Sequence, residues 1–258
     1  MALLEVKSIQ HSFGGLKAVD NVDFDVAQGR IKAVIGPNGA GKTTLFNIIS
    51  GVISPDSGNI TFNDRPISGL KPWQIAGHGI SRTFQHLSLF PHMTVLENVM
   101  VGRHKLSRAG ILASTLRLPS QLREERDIAA AALRELEFVG LADLAEVAVS
   151  DLSFGKRRMV ELARALATEA ELVLLDEPAS GLNTGETAEL AKLIMRIRDR
   201  GVTVLLVEHD MSLVMDISDE ILVLNFGKPI AEGDPATVRN NPDVISVYLG
   251  GAFSDVAD

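Results

Sequence analysis

The sequence predicts an α/β protein built on a parallel sheet with helices on both faces. Two short apolar runs, 173–175 and 203–207, are typical of strands that are buried on both faces. Stretches of helical periodicity surround them, over 42–50, 184–198 and 211–217. Alternation of buried strands with helices is the pattern of a doubly wound α/β core.

The first sixty residues predict a different, antiparallel arrangement. Val22, Phe24 and Val26 alternate with polar residues, as in a strand with one buried face. A further strand is expected over 59–62, directly after a turn at 54–58 that is rich in Ser, Pro, Asp and Gly. We therefore expect an antiparallel β subdomain at the N-terminus.

A glycine-rich loop follows the apolar run 31–35 and opens a helix. It matches the pattern G-x-x-x-x-G-K-[ST] and consists of Gly36, Pro37, Asn38, Gly39, Ala40, Gly41, Lys42, Thr43 and Thr44. Glycines leave backbone N–H groups open to a phosphate, and the helix N-terminus adds unpaired donors and a positive partial charge. In such a loop Lys42 reaches the β- and γ-phosphates of a nucleotide, and the Thr43 hydroxyl holds Mg²⁺. The alternative is a glycine-rich turn that opens an ordinary helix.

Two acidic residues end the apolar run 172–175. Asp176, at the end of a strand, can reach Mg²⁺ beside Thr43, usually through water. Glu177 points in a different direction because it is one residue further on, and it can orient or deprotonate an attacking water. The alternative is a pair of acids that ends a strand and caps the next turn. Beside a glycine-rich loop, the pair favours a nucleoside triphosphatase.

Composition narrows the class of protein. The 258 residues suffice for one large α/β domain or two small ones, and the 46% hydrophobic content is ordinary for a globular protein. A net charge of −8 argues against nucleic acid as the main ligand, and the lack of cysteine excludes disulfides and thiolate metal sites. We expect neither a signal peptide nor a membrane span, so any membrane role would come through a partner.

The stretch 87–167 is rich in Ala, Leu, Arg and Glu and predicts an all-helical insertion into the core. A helix is expected over 123–139, with Gly140 as its stop. A second helix is expected over 158–167, preceded by Ser153 as a candidate N-cap. The basic triplet Lys156, Arg157 and Arg158 opens this second helix and is expected to form a solvated face.

These features together resemble ABC-type ATPases. The residues that carry the resemblance are the glycine-rich loop, the sequence Leu-Ser-Phe-Gly-Lys at 152–156 and the sequence Leu-Leu-Asp-Glu-Pro at 174–178. The resemblance implies that ATP and Mg²⁺ are the cofactors. It also implies that Ser153 and Gly155 of one subunit bind the γ-phosphate held by the loop of another, so that ATP joins two nucleotide-binding domains and hydrolysis releases them.

Three further residues match motifs of that family. Gln85 matches a glutamine that touches Mg²⁺ or the attacking water and senses the membrane partner. His209 matches a histidine that contacts the γ-phosphate, and Phe13 matches the aromatic residue that stacks on adenine. The residues alone leave an alternative open at each position. Gln85 could be a polar residue at a strand end, His209 a structural histidine and Phe13 a core phenylalanine.

Two positions depart from the family pattern. Phe154 stands where the signature usually has a glycine, and Asn183 stands where the loop after the acidic pair usually ends in aspartate. Asn183 removes a carboxylate that the family uses across the dimer interface. The resemblance therefore leaves the cooperativity between the two ATP sites open.

The resemblance implies a P-loop NTPase core of the RecA-like type. We expect a single nucleotide-binding domain over 1–258, in which 1–86 and 168–258 form the ATP-binding core with its antiparallel β subdomain. The helical subdomain, over 87–167, then carries the signature sequence.

The resemblance is narrower still, to the ATPases of bacterial branched-chain amino acid importers. It is carried by the segments 82–90, 181–183, 207–211 and 240–250. It implies a second ATPase subunit, a sister or a copy of itself, two transmembrane permeases, indirectly a solute-binding protein, and a peripheral location on the cytoplasmic face of the inner membrane. Leu89, Phe90, Met93, Val95 and Leu96 form either a permease groove or the core of the helical insertion. An importer of urea, amides or another polar solute and a soluble ATPase acting on DNA or ribosomes are the alternatives.

Overall fold

The computed structural model describes residues 2–83, 87–103 and 119–254. The strands are β1 (Ala2–Phe13), β2 (Leu16–Ala27), β3 (Ile31–Ile35), β4 (Ser57–Phe62), β5 (Arg65–Pro66), β6 (Ile80–Arg82), β7 (Leu172–Asp176), β8 (Thr203–Val207), β9 (Glu220–Asn225) and β10 (Lys228–Gly233). The α-helices are α1 (Lys42–Ile49), α2 (Pro72–Gly77), α3 (Val95–Gly102), α4 (Pro119–Val139), α5 (Phe154–Leu166), α6 (Thr184–Asp199), α7 (Met211–Ile217), α8 (Pro235–Arg239) and α9 (Pro242–Ser254).

The central sheet has six strands in the order β10-β9-β3-β8-β7-β6. The four pairings from β6 to β9 run parallel, and β10 is antiparallel to β9. Val34 and Asp176 both pair with Val207, so β3, β8 and β7 end level with one another. Every residue of these three strands is buried, as the continuous apolar runs predict for a parallel sheet.

The N-terminal strands form a separate antiparallel sheet in the order β2-β1-β4-β5, as expected. One apolar cluster joins this sheet to α1 and to one face of the central sheet, through residues such as Phe24, Phe46 and Phe62. A second cluster packs α5, α6 and α7 on the opposite face of the central sheet. The doubly wound α/β class predicted from the sequence is therefore confirmed.

A third apolar cluster holds α3, α4 and α5 together, and Val99, Leu136 and Val160 lie at its centre. The Thr94 side chain caps α3 in a capping box with Glu97. The helix expected from residue 123 begins earlier, at Pro119, and ends at Val139 as expected. The stretch is helical as predicted, while the subdomain bounds 87 and 167 stay a prediction.

The start of α5 corrects two expectations. The helix begins at Phe154 and not at Arg158, because the Ser153 side chain already accepts the N–H of Lys156 and caps the helix there. Arg158 is not solvated: it is 1% exposed and donates to Glu161, which is equally buried, at 2.8 Å. Only Lys156 of the basic triplet is fully exposed, so the expected solvated face was wrong for Arg158.

No helix within the described ranges has both the length and the apolar content that crossing a membrane requires.

We expect Arg158→Met to lower the free energy of unfolding by about 3–5 kcal/mol, because it removes the buried guanidinium that is hydrogen-bonded to the buried Glu161 carboxylate. Lys156→Met is the matched control, and an exposed lysine is expected to change stability by only about 0.5 kcal/mol. Urea unfolding followed by circular dichroism measures both. Equal stability of the two variants would contradict a structural role for the buried pair.

Candidate active site

The carboxyl ends of β3, β7 and β8 meet at one edge of the central sheet, and the predicted site residues follow them. The glycine-rich loop leaves β3 and opens α1. Within the described chain no side chain caps α1, and its first turn holds no acidic residue. Its N-terminal amides therefore remain available to an anion, as phosphate binding requires.

Glycine is required at two positions of this loop by close packing. Gly36 and Gly41 have φ of 151° and 101°, which disfavours other residues. A Cβ on Gly36 would collide with the carbonyl oxygen of Leu224, and one on Gly41 with that of Ala18. The loop is thus pressed against β9 and β2, which fixes where its amides point.

The Lys42 ammonium lies inside the loop. It donates to the carbonyl oxygens of Gly36 at 2.6 Å and Pro37 at 3.0 Å. Burial lowers the pKa of Lys42, and the carboxylates of Glu177 and Asp176 oppose that shift. The ammonium therefore lies within electrostatic reach of both acids, and the Thr43 side chain, one residue further along α1, is exposed.

Asp176 ends β7 and is nearly buried. Its Oδ2 accepts a hydrogen bond from Nη2 of Arg82 at 2.8 Å. Nη1 of the same guanidinium donates to Asn47 at 2.8 Å and to Ser50 at 2.7 Å, both at the end of α1. The sequence offered no signal for Arg82 as a site residue, because a lone arginine at a strand end resembles a surface arginine.

Glu177 follows directly in a strained backbone conformation, with φ of 46°. Its N–H donates to the carbonyl oxygen of Val207 at 2.9 Å, which extends the pairing of β7 with β8 to this residue. The carboxylate stays partly exposed and lies 3.9 Å from Nδ1 of His209. His209 is mostly exposed, so a carboxylate and an imidazole lie side by side at this edge of the sheet.

Glu208 was missed as a site residue. Its carboxylate is fully buried and accepts N–H groups from Ala179 at 2.8 Å, His209 at 2.9 Å and Asp210 at 3.4 Å. It therefore ties the loop that follows Glu177 to the loop that carries His209. Sequence reasoning had no means of finding it, since an acid next to a histidine does not reveal its burial.

Phe13 ends β1 with its ring 53% exposed. The ring packs edge-on against His11, with centroids 4.7 Å apart, and does not enter the core. The alternative of an ordinary core phenylalanine is therefore excluded. An exposed aromatic face suits stacking on a purine base.

Ser153, Phe154 and Gly155 contact α6 and the loop before it. A Cβ on Gly155 would collide with the carboxylate of Glu186, and the ring of Phe154 lies 3.0 Å from the Cβ position of Gly181. Asn183 caps α6 through a capping box with Glu186. Both departures from the family pattern are thus packed close to one another, at the start of α6.

Gln85 lies outside the described residues. The residue at position 83, Thr83, continues β6 and donates its N–H to the carbonyl oxygen of Leu174 at 2.9 Å.

The C-terminal helix α9 carries a half-buried tyrosine, Tyr248. Burial raises the pKa of Tyr248 to about 12, and the backbone N–H of Gly36 beside the hydroxyl opposes that shift. The Tyr248 side chain also packs on the apolar cluster that holds α5, α6 and α7 against the central sheet.

These residues fit a magnesium nucleotide. Uncapped helix amides and Lys42 supply donors for phosphate oxygens, and the Thr43 hydroxyl and the Asp176 carboxylate are the oxygen ligands that Mg²⁺ prefers.

Comparison with known families agrees with this geometry. A family profile described as ABC transporter matches residues 19–180, and one described as branched-chain amino acid ATP-binding cassette transporter matches residues 228–254.

Curated relatives span nearly the whole chain. The high-affinity branched-chain amino acid transport ATP-binding protein LivG of Salmonella typhimurium is 46% identical over 251 residues, covering 97% of this chain and 98% of the relative. The corresponding protein BraF of Pseudomonas aeruginosa is 44% identical over the same shares. A probable LivG of Archaeoglobus fulgidus is 36% identical over 256 residues, 99% of this chain and 98% of the relative.

Solved structures show the same fold. The ADP conformation of an ATP-binding cassette of an ABC transporter superimposes with a TM-score of 0.85 at 31% identity, covering 97% of this chain and 99% of that chain. A nucleotide-free cassette gives a TM-score of 0.84 at 31% identity, with 96% and 99% covered.

We expect Lys42→Ala to weaken nucleotide binding by roughly 10–100-fold, because it removes charge-assisted hydrogen bonds to the phosphates. Titration with a fluorescent ATP analogue measures the dissociation constant. Lys192→Ala, an exposed lysine on α6, is the control and is expected to bind normally. Unchanged binding by Lys42→Ala would contradict the phosphate role.

We expect Glu177→Gln to retain ATP binding and to lose turnover by about 10²–10⁴-fold, because an amide cannot accept the proton of the attacking water. Phosphate release and nucleotide titration separate the two effects. Glu171→Gln, an exposed acid just before β7, is the matched control and should hydrolyse normally. A Glu177→Gln variant with the normal rate would rule out Glu177 as the base.

Proposed function

The chain belongs to the ATP-binding subunits of ABC transporters, and from this premise we propose that it powers the import of branched-chain amino acids. The proposal that branched-chain amino acids are the transported solute rests on the 46% identity to LivG over 97% of the chain. The separate match of residues 228–254 to a branched-chain amino acid cassette supports the same cargo. ATP hydrolysis supplies the free energy, and the amino acid itself passes through other subunits.

In the proposed site, the amides and side chains of 36–44 hold the phosphates, and Phe13 stacks on the adenine. Bound Mg²⁺ would be held by Thr43 and Asp176, together with Gln85, and would supply electrostatic stabilisation of the charge that develops on the phosphates. Glu177 accepts a proton from the attacking water. His209 lies within 4 Å of Glu177 and contacts the γ-phosphate.

The site is completed by a second ATPase subunit, either a sister or a copy of this chain. Ser153 is exposed at the capped start of α5, so its hydroxyl and the neighbouring amides can face a phosphate held by the partner. Gly155 is buried against Glu186. Because it has no Cβ, the start of α5 can lie close to the Glu186 side chain on α6. Asn183 retains a capping role in place of the missing carboxylate.

Two membrane permeases are the proposed partners on the other side, and they hold the subunit at the cytoplasmic face of the membrane. Of the segment predicted to contact them, Val95 is buried in the helical core and Leu89 and Leu96 pack on that core. Phe90 stays exposed and remains the candidate contact. Val52 and Trp73 are also exposed, beside a groove of about 240 Å³ next to β6.

The test is affinity purification of tagged Glu177→Gln protein from gently solubilised cells with MgATP, followed by mass spectrometry. We expect two polytopic permeases and an ATPase subunit, and then uptake of radiolabelled leucine, isoleucine and valine that depends on this gene. The same preparation with MgADP is the control for ATP-dependent association. Uptake of urea or amides would contradict the cargo, and ribosomal or DNA-repair proteins without a permease would contradict transport.

A further inference from the structure

Arg82 connects three structural elements at the proposed metal site. It ends β6, its Nη2 donates to Asp176 at the end of β7, and its Nη1 donates to Asn47 and Ser50 at the end of α1. All three hydrogen bonds lie between 2.7 and 2.8 Å, the short distances of charge-assisted or well-aligned bonds. A single guanidinium therefore ties the metal-binding carboxylate to the helix that carries the phosphate-binding loop.

The pair is nearly excluded from water. The side chain of Arg82 is 9% exposed and that of Asp176 is 6% exposed. The guanidinium carbon also lies 6.0 Å from the centre of the Phe46 ring, which favours a cation there. A carboxylate this far buried is costly unless a cation compensates it, and the structure supplies that cation within the protein.

The anchor of Arg82 is itself fixed. The Ser50 hydroxyl donates to the carbonyl oxygen of Phe46 at 2.8 Å, which orients its lone pairs towards the guanidinium. The planar fork of arginine is needed here because two nitrogens serve partners on different elements. Arg82 thus fixes both the charge and the direction of Asp176.

We propose that Arg82 is a positioning residue that acts as the internal counter-ion of Asp176, keeping the carboxylate in place for Mg²⁺ while the nucleotide is exchanged. The inference rests on the proposed function only in taking Asp176 as a metal ligand. Arg82 donates to Oδ2 of Asp176. The guanidinium then also weakens the electrostatic attraction between Asp176 and the metal ion, because both cations share one carboxylate.

Two consequences follow for a variant that lacks the guanidinium. The nucleotide-free protein loses stability because the buried Asp176 carboxylate loses the cation that is hydrogen-bonded to it. Bound Mg²⁺ restores that compensation, so the presence of Mg²⁺ should strengthen nucleotide binding more in the variant than in the natural protein. A purely structural arginine would show the first effect without the second.

The experiment compares Arg82→Met and Arg82→Lys with Asp176→Asn and the Arg82→Met/Asp176→Asn double variant. Arg200→Met is the control, because Arg200 forms an ion pair with Glu135 that lies elsewhere on the chain and is more exposed to solvent. The readouts are the Tm of nucleotide-free protein, and the Kd of a fluorescent ATP analogue with Mg²⁺ and with EDTA.

We expect Arg82→Met to lower the Tm by roughly 5–10 °C and to raise the ratio of the EDTA Kd to the Mg²⁺ Kd by on the order of tenfold. Arg82→Lys should recover part of both effects. In the Asp176→Asn background, Arg82→Met should leave the ratio of the two Kd values unchanged. It should also lower the Tm by less than it does in the natural protein.

An unchanged or lower ratio in Arg82→Met, or the same ratio change in the Asp176→Asn background, would overturn the proposal. If the natural protein itself showed no Mg²⁺-dependent nucleotide binding, the proposed function would fail instead. The Tm cycle would then still decide whether Arg82 and Asp176 act as a pair, because it needs no nucleotide.

Discussion

The parallel register of β3, β8 and β7 is the constraint on which the rest of the site depends. Because Val34 and Asp176 both pair with Val207, three strands end at one level. The glycine-rich loop follows β3 at that level, Glu177 follows β7, and Glu208 and His209 follow β8. Residues far apart in the sequence therefore meet without any long side chain having to reach, and a slip of one strand by one residue would turn its side chains to the other face.

Gathering these groups at one edge concentrates buried charge, and the structure compensates each one locally. Arg82 neutralises Asp176, backbone N–H groups satisfy Glu208, and loop carbonyl oxygens accept from Lys42. For Asp176 and Glu208 the compensation includes partners from other elements, Arg82 and Ala179. The same contacts that make burial tolerable therefore also fix the spacing between the phosphate loop, the metal-binding acid and the histidine.

The sequence was sufficient for features that depend on local pattern. Continuous apolar runs identified β3, β7 and β8, and the glycine-rich motif identified the loop whose packing excludes any Cβ at Gly36 and Gly41. It was insufficient wherever burial decides the role of a charged residue. Arg158, Arg82 and Glu208 look like ordinary surface residues in the sequence, and only the packing of distant elements makes them interior. The aromatic at 154 was an unexplained departure until its ring was found against Gly181.

The signature helix shows how such departures can preserve a binding surface. Ser153 accepts the N–H of Lys156 at 3.4 Å, which is long for a hydrogen bond, so this amide remains available to a stronger acceptor such as phosphate. Phe154 and Gly155 meanwhile hold the start of α5 against Gly181 and Glu186. The direction of the N-terminal end of α5 is therefore set by contacts to α6 and to the loop before it. The same loop begins after Glu177 and contains Ala179, whose N–H donates to Glu208. A phosphate bound at the start of α5 would therefore contact a surface that the same loop connects to Glu177 and His209 of the chain's own site.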